Sequence, residues 1–451
     1  MKIVLISSFF PPTHTAGTEK RTLGYALRLQ ELGHSVQVVC AGKWDEGHQY
    51  WNGYTDEVFR HVPVRRIHFN WLLSPDPNQF LYHNPVVEKH LGQWLGEWQP
   101  DVAHVTSCYT LSASVIQAAK RQELPVVLTL TDYWFICPRL SLLRGDGALC
   151  DGRTTGWDCL KCMLWDNRTY RRVGVKMPDS LACAVLSWLS KRPVITRRRG
   201  LRGLALDMDW RKTYLAAMIN AVDCITAPSA YLRDVFVACG VSRPIQVIHS
   251  GHDLAWLETL PEKKPADALR IGYIGQITPS KGVHLLVSAF ASDAWAGRAQ
   301  LSIFGDAHQS PQYLRQLESL AAGRETVKFR GAFPHEQLGQ VLSELDVLVV
   351  PSQWHENNPR VIQEAFASRT PVIASKVGGI AEFVQHEVNG LLFERGDVDD
   401  LARQMRRVIT EPDMLERLKA GIPRVRRMEQ EVEELMGIYQ KLLSQRNSAR
   451  A

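Results

Sequence analysis

No run of about 18 apolar residues occurs in this 451-residue chain, which removes a membrane-spanning helix from the expected architecture. A strong charge of one sign is also lacking: 53 Lys and Arg stand against 47 Asp and Glu, a net charge of +6. With no nucleic-acid motif beside it, so modest an excess excludes nucleic acid as the expected partner. The opening MKIVLISSFFPP has one lysine and a short apolar stretch cut off by two prolines. That is a poor export signal, and a first core strand is expected instead. Nine cysteines, an odd number without an export signal, point to a reduced, cytoplasmic compartment. Hydrophobic residues at 45% and charged residues at 22% are those of a globular protein, and the length calls for two domains.

The most informative stretch is His355 to Ser368, HENNPRVIQEAFAS. Val347 to Val350 leads into it and reads as a buried parallel strand. Pro351-Ser352 ends the strand, a polar loop follows, and Pro359 suits the first position of a helix reaching Ala367. Pro371 to Ala374 is the next strand, followed by Gly378-Gly379. Glu356 lies in the loop and Glu364 inside the helix, about a turn and a half on. The free N–H groups of Asn358, Arg360 and Val361 lie between them, and a helix N-terminus favours anions such as phosphate. A carboxylate can accept from two neighbouring sugar hydroxyls. The spacing suits a sugar–diphosphate–ribose ligand; a pair of solvated surface glutamates is the other reading.

The segment DVLVVPSQWHENNPRVIQEAFASRTPVIASKVGGIAEFVQHEVNGLLFERGD resembles the retaining nucleotide-sugar glycosyltransferases of the GT-B fold, group 1, family 4. It carries their E-x7-E signature, the EA-x-A that follows, the PVIAS strand, the Gly-Gly turn and the NGLLF strand. The resemblance is close from Ile271 to Leu401 and looser back to Met1. It implies an α/β GT-B architecture, two Rossmann-like domains facing across a cleft. Residues 1–250 would form the acceptor-side domain and 251–427 the nucleotide-sugar domain. A helix near 428–447, apolar at Val432, Leu435, Met436, Ile438, Leu442 and Leu443, would pack back on the first.

The same resemblance assigns roles. Glu356, with Asn358, Pro359, Arg360 and Val361 nearby, would hold the transferred hexose, and Glu364 the ribose hydroxyls. Lys281 would grip the donor diphosphate. Its usual arginine partner is replaced by Gln276, which can hydrogen-bond a phosphate but adds no charge. Gly17, in the Ala16-Gly17 turn after the first strand, would lie near diphosphate and acceptor. Relatives carry His-Asp where this chain has Thr131-Asp132. Asp132 is left to contact sugar or acceptor, or else to cap its turn.

Three features lie outside that pattern. Residues 43 to 100 read as aromatic-rich and irregular. Cys137, Cys150, Cys159 and Cys162 form an insertion at about 137–165 whose C-x-x-C ending suits a structural zinc; free thiols or a redox pair are the alternatives. Lys191, Arg192, Arg197 to Arg199, Arg202, Arg211 and Lys212 crowd a Trp- and Leu-containing region. It reads either as a solvated helical face or as a peripheral contact with an anionic membrane.

The expectation is a retaining hexosyltransferase using a nucleotide-diphospho-sugar, with no cofactor needed for the chemistry. Its acceptor would be a saccharide or lipid-linked saccharide in surface polysaccharide or glycolipid assembly. The site would be cytoplasmic, at the inner face of the membrane. An epimerase on the same fold and a non-catalytic sugar-nucleotide-binding subunit are the alternatives.

Overall fold

The computed structural model describes every residue except 77, 173, 191, 193–203, 293, 294, 296, 309 and 451. Lys191, Arg197 to Arg199 and Arg202 of the basic cluster therefore lie outside the described residues. The chain divides into two units, Met1–His249 with Met428–Ala451, and Ser250–Arg427.

The first unit is built on an eight-stranded sheet. Its strands are β1 (Lys2–Ile6), β2 (Ser35–Ala41), β3 (Trp51–Phe59), β4 (Val62–Phe69), β5 (Val102–Val105), β6 (Val126–Thr129), β7 (Cys224–Ala227) and β8 (Ile245–Val247). Their order is β3-β4-β2-β1-β5-β6-β7-β8, parallel throughout except for the antiparallel β3–β4 hairpin. β5 and β6 are short and buried at every position, as a sheet covered on both faces requires, and apolar apart from His104 and Thr129. One face packs Ile6, Val39, Val105 and Leu128 on the helix Pro85–Trp98 and its neighbours. The other packs Ile3, Leu5, Val38 and Val127 on the helices Gly17–Glu31 and Met428–Arg450.

The region 43 to 100 is not irregular. It holds the β3–β4 hairpin and the helix Pro85–Trp98, with Asn84 accepting from the N–H of Val86 and Val87 as its cap. β3 is half-buried to exposed along its whole length, so an inward-outward alternation is missing from its sequence.

The second unit holds β9 (Leu269–Ile274), β10 (Ala299–Phe304), β11 (Val327–Gly331), β12 (Val347–Val350), β13 (Val372–Ser375) and β14 (Gly390–Phe393). These pair in the order β11-β10-β9-β12-β13-β14, all parallel. The direction of winding reverses between β9 and β12, and ligands of such sheets sit off the carboxyl ends of the strands at that switch point.

The returning helix Met428–Arg450 is fixed to the first unit by a buried ion pair. Arg21 donates to Glu431 from Nε at 3.0 Å and again from Nη2, and the Tyr25 hydroxyl donates to the same oxygen at 2.5 Å. Two turns on, the Tyr439 hydroxyl meets Nδ1 of His104 at 2.5 Å, and burial pushes the His104 imidazole down to about 3, so the ring is neutral. Removing one member of a buried pair strands the other charge, at a cost of about 3–5 kcal/mol. Glu431→Ala is therefore expected to lower the stability of the first unit by that amount, read as a shift of its transition in urea unfolding.

Candidate functional site

In the second unit the loops following β9 and β12 meet. Lys281 closes the short turn Pro279–Lys281, and Gly282 follows at φ 71°, where an added Cβ would lie 1.9 Å from the Pro351 carbonyl oxygen. Only glycine permits that approach. The Gln353 N–H then donates to the Ser280 carbonyl at 2.8 Å, joining the two loops. Across this junction Lys281 Nζ donates to Glu356 Oε1 at 2.6 Å.

Glu356 is only 6% exposed, and its Oε1 also accepts from Ser352 Oγ at 2.9 Å and from Trp354 Nε1 at 2.8 Å. Lys281 Nζ stands 5.1 Å from the centre of the Trp354 ring. The turn after β13 backs onto this loop. The Gly379 N–H donates to the Glu356 carbonyl at 2.6 Å, and a Cβ on Gly378 would lie 2.7 Å from the Glu356 N and O. Tyr273 is buried beneath, and burial, then the Glu356 charge, hold its phenol protonated.

The helix begins at Arg360, with Pro359 as the residue before it rather than its first member. No side chain caps this end, and the Asn358 Oδ1 is buried with no hydrogen-bond partner among the described residues. Glu364, buried on the same helix, has its Oε1 3.6 Å from Arg360 Nη2. Gln276 is exposed and contributes its carbonyl to the Tyr273 hydroxyl at 2.7 Å. Lys281, Glu356, Asn358, Arg360, Val361 and Glu364 thus belong to one unit, and the first two are in direct contact. An ammonium and an uncapped helix N-terminus beside a held carboxylate can bind an anion next to a polyol.

The first unit has its own group at the ends of β1, β5 and β6. Gly17 opens the helix Gly17–Glu31. Asp132 is half-buried and accepts from the Trp134 N–H at 2.8 Å, the turn-capping arrangement. Burial pushes its carboxyl up to about 6. Thr131 Oγ1 donates to the Thr106 carbonyl at 2.9 Å. Sequence reasoning missed Glu19, two residues past Gly17. It is 7% exposed, its Oε2 has no hydrogen-bond partner among the described residues, and burial raises its carboxyl, with the Asp132 charge adding to the effect. The signal available was an acidic residue in the first turn of a helix that opens at a ligand-facing loop.

The four cysteines of the expected insertion come together. Cys137, Cys150, Cys159 and Cys162 line one small hollow. However, among the described residues no group of three or more His, Cys, Asp or Glu side chains is disposed to hold a metal ion. Burial raises the Cys137, Cys150 and Cys162 thiols from their ordinary values.

Two family models match the chain, "Glycosyl transferase 4-like domain" over residues 16–173 and "Glycosyl transferases group 1" over residues 258–424. An uncharacterized glycosyltransferase of Methanocaldococcus jannaschii is 30% identical over 427 residues, 91% of this chain and 90% of that protein. The chain belongs to the group 1 glycosyltransferases. It is a transferase enzyme of GT-B fold. An uncharacterized protein from the cps region of Klebsiella pneumoniae is 22% identical, covering 89% of this chain and 91% of its own length. The Anabaena protein HepE, solved in complex with UDP-glucose, shares the fold at a TM-score of 0.59 and 18% identity, over 99% of this chain and 100% of its own.

Asp132 gives this glycosyltransferase a pH signature. An unfolded aspartate titrates near its model value of 3.8 and the folded one at about 6. Between those values the folded state holds a proton that the unfolded state has lost, so stability falls as pH rises through the interval and the full penalty applies above it. Asp132→Asn keeps the acceptor for Trp134 and removes the titration. Its Tm is expected to match the wild type at pH 4 and exceed it at pH 7, checked by thermal melts across that range.

Proposed function

We propose that this glycosyltransferase moves a hexose from a nucleotide-diphospho-sugar to a hydroxyl of a saccharide or lipid-linked saccharide, with retention at the anomeric carbon. The observation that carries this reading is the contact of Lys281 with the buried Glu356 at the β9–β12 switch point, beside the uncapped helix at Arg360. Lys281 and the N–H groups of Arg360 and Val361 would take the diphosphate, where negative charge grows as the bond breaks. Glu356 and the Asn358 amide would hold the hexose hydroxyls. Glu364 would accept the ribose hydroxyls, exchanging its contact with Arg360 for them. The UDP-glucose bound to the Anabaena neighbour supports a donor of this class. Asp132 and Gly17 would serve the acceptor side.

In the retaining reaction the bond from the anomeric carbon to the phosphate oxygen breaks. The acceptor oxygen bonds to that carbon on the same face, and its proton passes to the departing phosphate. This chemistry follows from the family resemblance and calls for no cofactor. The cps-region origin of the Klebsiella relative favours a product in surface polysaccharide or glycolipid assembly, made in the cytoplasm at the inner membrane face.

A thermal-shift screen against UDP-, GDP- and ADP-sugars tests the reading, since a ligand that binds only the native state raises its Tm. One of the three is expected to do so. Glu356→Gln is expected to cut donor turnover by about 100-fold or more with the fold intact. Glu364→Ala should raise the donor Kd about tenfold, the equivalent of ~1.4 kcal/mol, with a smaller effect on kcat. If no nucleotide sugar stabilises the protein, or Glu356→Gln turns over donor normally, the proposal fails. Conversion of one nucleotide sugar into another without an acceptor would favour the epimerase.

A further inference from the structure

The long connection between β6 and β7 carries a surface that donor chemistry does not use. Its helix Asp179–Ser190 has two faces. Ala182 is buried, and Leu186 packs with Leu160, Cys159 and Met208 in a small cluster of its own. The opposite face bears Leu181, Ala184, Val185 and Trp188, at the i, i+3, i+4, i+7 spacing of a single stripe. Leu181 is 51% exposed and Trp188 55% exposed, and Trp210, on the helix Leu204–Ala221, is 52% exposed. Polar residues would normally occupy such positions.

The charge that flanks the helix along the sequence is mainly positive. From residue 168 to 192 the sequence has six Lys or Arg and one acid, Asp179. That acid is taken up by Lys161 Nζ at 2.9 Å. Arg168, Arg171, Arg172 and Lys176, just upstream of the helix, are exposed. Beyond its end Arg192 holds its guanidinium 4.3 Å from the centre of the Trp188 ring. An arginine stacked on an indole keeps a cation at the edge of the apolar face, the arrangement a lipid headgroup boundary rewards.

We infer that this face docks on the surface of a bilayer containing anionic lipid, with Leu181, Val185 and Trp188 entering the headgroup–acyl boundary and the flanking basic residues meeting lipid phosphates. A narrow stripe with a Trp and a cationic border is the pattern of an interfacial helix. No helix among the described residues is long and apolar enough to cross a membrane, so the contact is one of lying on it. A second copy of the chain is a worse occupant, because a twofold contact would set the same basic border against itself. The docking does not rest on the nucleotide-sugar assignment; it goes beyond it, bringing the enzyme to the surface where lipid-linked acceptors reside.

The test is co-sedimentation of the full chain with phosphatidylcholine vesicles, with and without a one-third share of phosphatidylglycerol. At low salt, binding to the anionic vesicles is expected to be at least about tenfold stronger, since each Lys or Arg near the surface adds to the attraction, and to weaken as salt rises. Leu181→Ser with Trp188→Ser should lower binding about tenfold by removing the inserted face, and Arg171→Glu with Arg172→Glu should lower it at least as much. Circular dichroism and Tm should stay at wild-type values in both variants; if the serine variant melts early, the charge-reversal variant alone decides. Equal binding to neutral and anionic vesicles, binding to neither, or variants that bind like the wild type overturns the inference. So does light scattering that finds a wild-type dimer which the Trp188 variant dissociates.

Discussion

A carboxylate taken out of water must be surrounded by donors, and Glu356 sets that requirement at the centre of the second unit. One of its oxygens collects Lys281, Ser352 and the Trp354 indole. These donors come from loops after two different strands, so satisfying one charge fixes the relation of β9 to β12 at their carboxyl ends. The glycines supply the steric half of the constraint. Gly282 lets the first loop pass the Pro351 carbonyl, and Gly378 lets the turn after β13 press against Glu356. Well-packed apolar residues would stabilise such a junction at least as well as a buried charge pair does. A charge kept there at that cost is better explained by what it holds than by what it adds to stability.

The first unit relies on the same physics for a different end. Glu431 is fully buried and is matched by Arg21 and Tyr25, and its partners join the opening helix to the returning one. Here the carboxylate has its donors and lies inside a core cluster with Val432, Leu435 and Tyr439. By contrast the buried Glu19 and the half-buried Asp132 are carboxylates with fewer partners, and loss of water raises both. A satisfied buried acid holds chain segments together; an under-satisfied one at the end of a parallel strand is poised for something outside the protein.

Much of the fold was legible because a parallel strand covered on both faces must be an unbroken apolar run. Val347–Val350 announces itself that way, and Val102–Val105 and Val126–Thr129 nearly so, with one polar residue each. The antiparallel edge was not legible. WNGYTDEVF is mostly exposed, has polar residues throughout and owes its strand character to its partner β4. Glu356 and Glu364 drew notice as two carboxylates at a spacing and Lys281 through the family resemblance, but the donors that fix Glu356 were not legible. Ser352 and Trp354 look like loop composition until the chain folds back and turns both toward one oxygen. Pro359 is a smaller lesson of the same kind. Its ring suits the first turn of a helix, yet its ψ of 106° keeps it just outside. The residue preceding the helix must be extended, and that geometry leaves the next N–H groups free.

The β6–β7 connection obeys other rules. In a parallel sheet this crossover needs only a helix, yet here it runs from residue 130 to 223 and carries several helices, a thiol-lined hollow and a half-bare apolar stripe. Its first and last parts reach the sheet's core through Tyr133, Trp134, Phe135, Leu142, Leu215 and Ile219, while the stretch between builds a small cluster of its own around Cys159, Leu160 and Met208. A core that small covers one side of each helix and leaves the other side open. Arg211 bears the strain of this economy, being buried with an Nη1 that has no partner among the described residues and a guanidinium whose charge burial disfavours. The strand-end loops around Glu356 are held by the sheet and have little room to vary. The excursion is tied mainly at its two ends, so its outer surface is free to be shaped by whatever it meets.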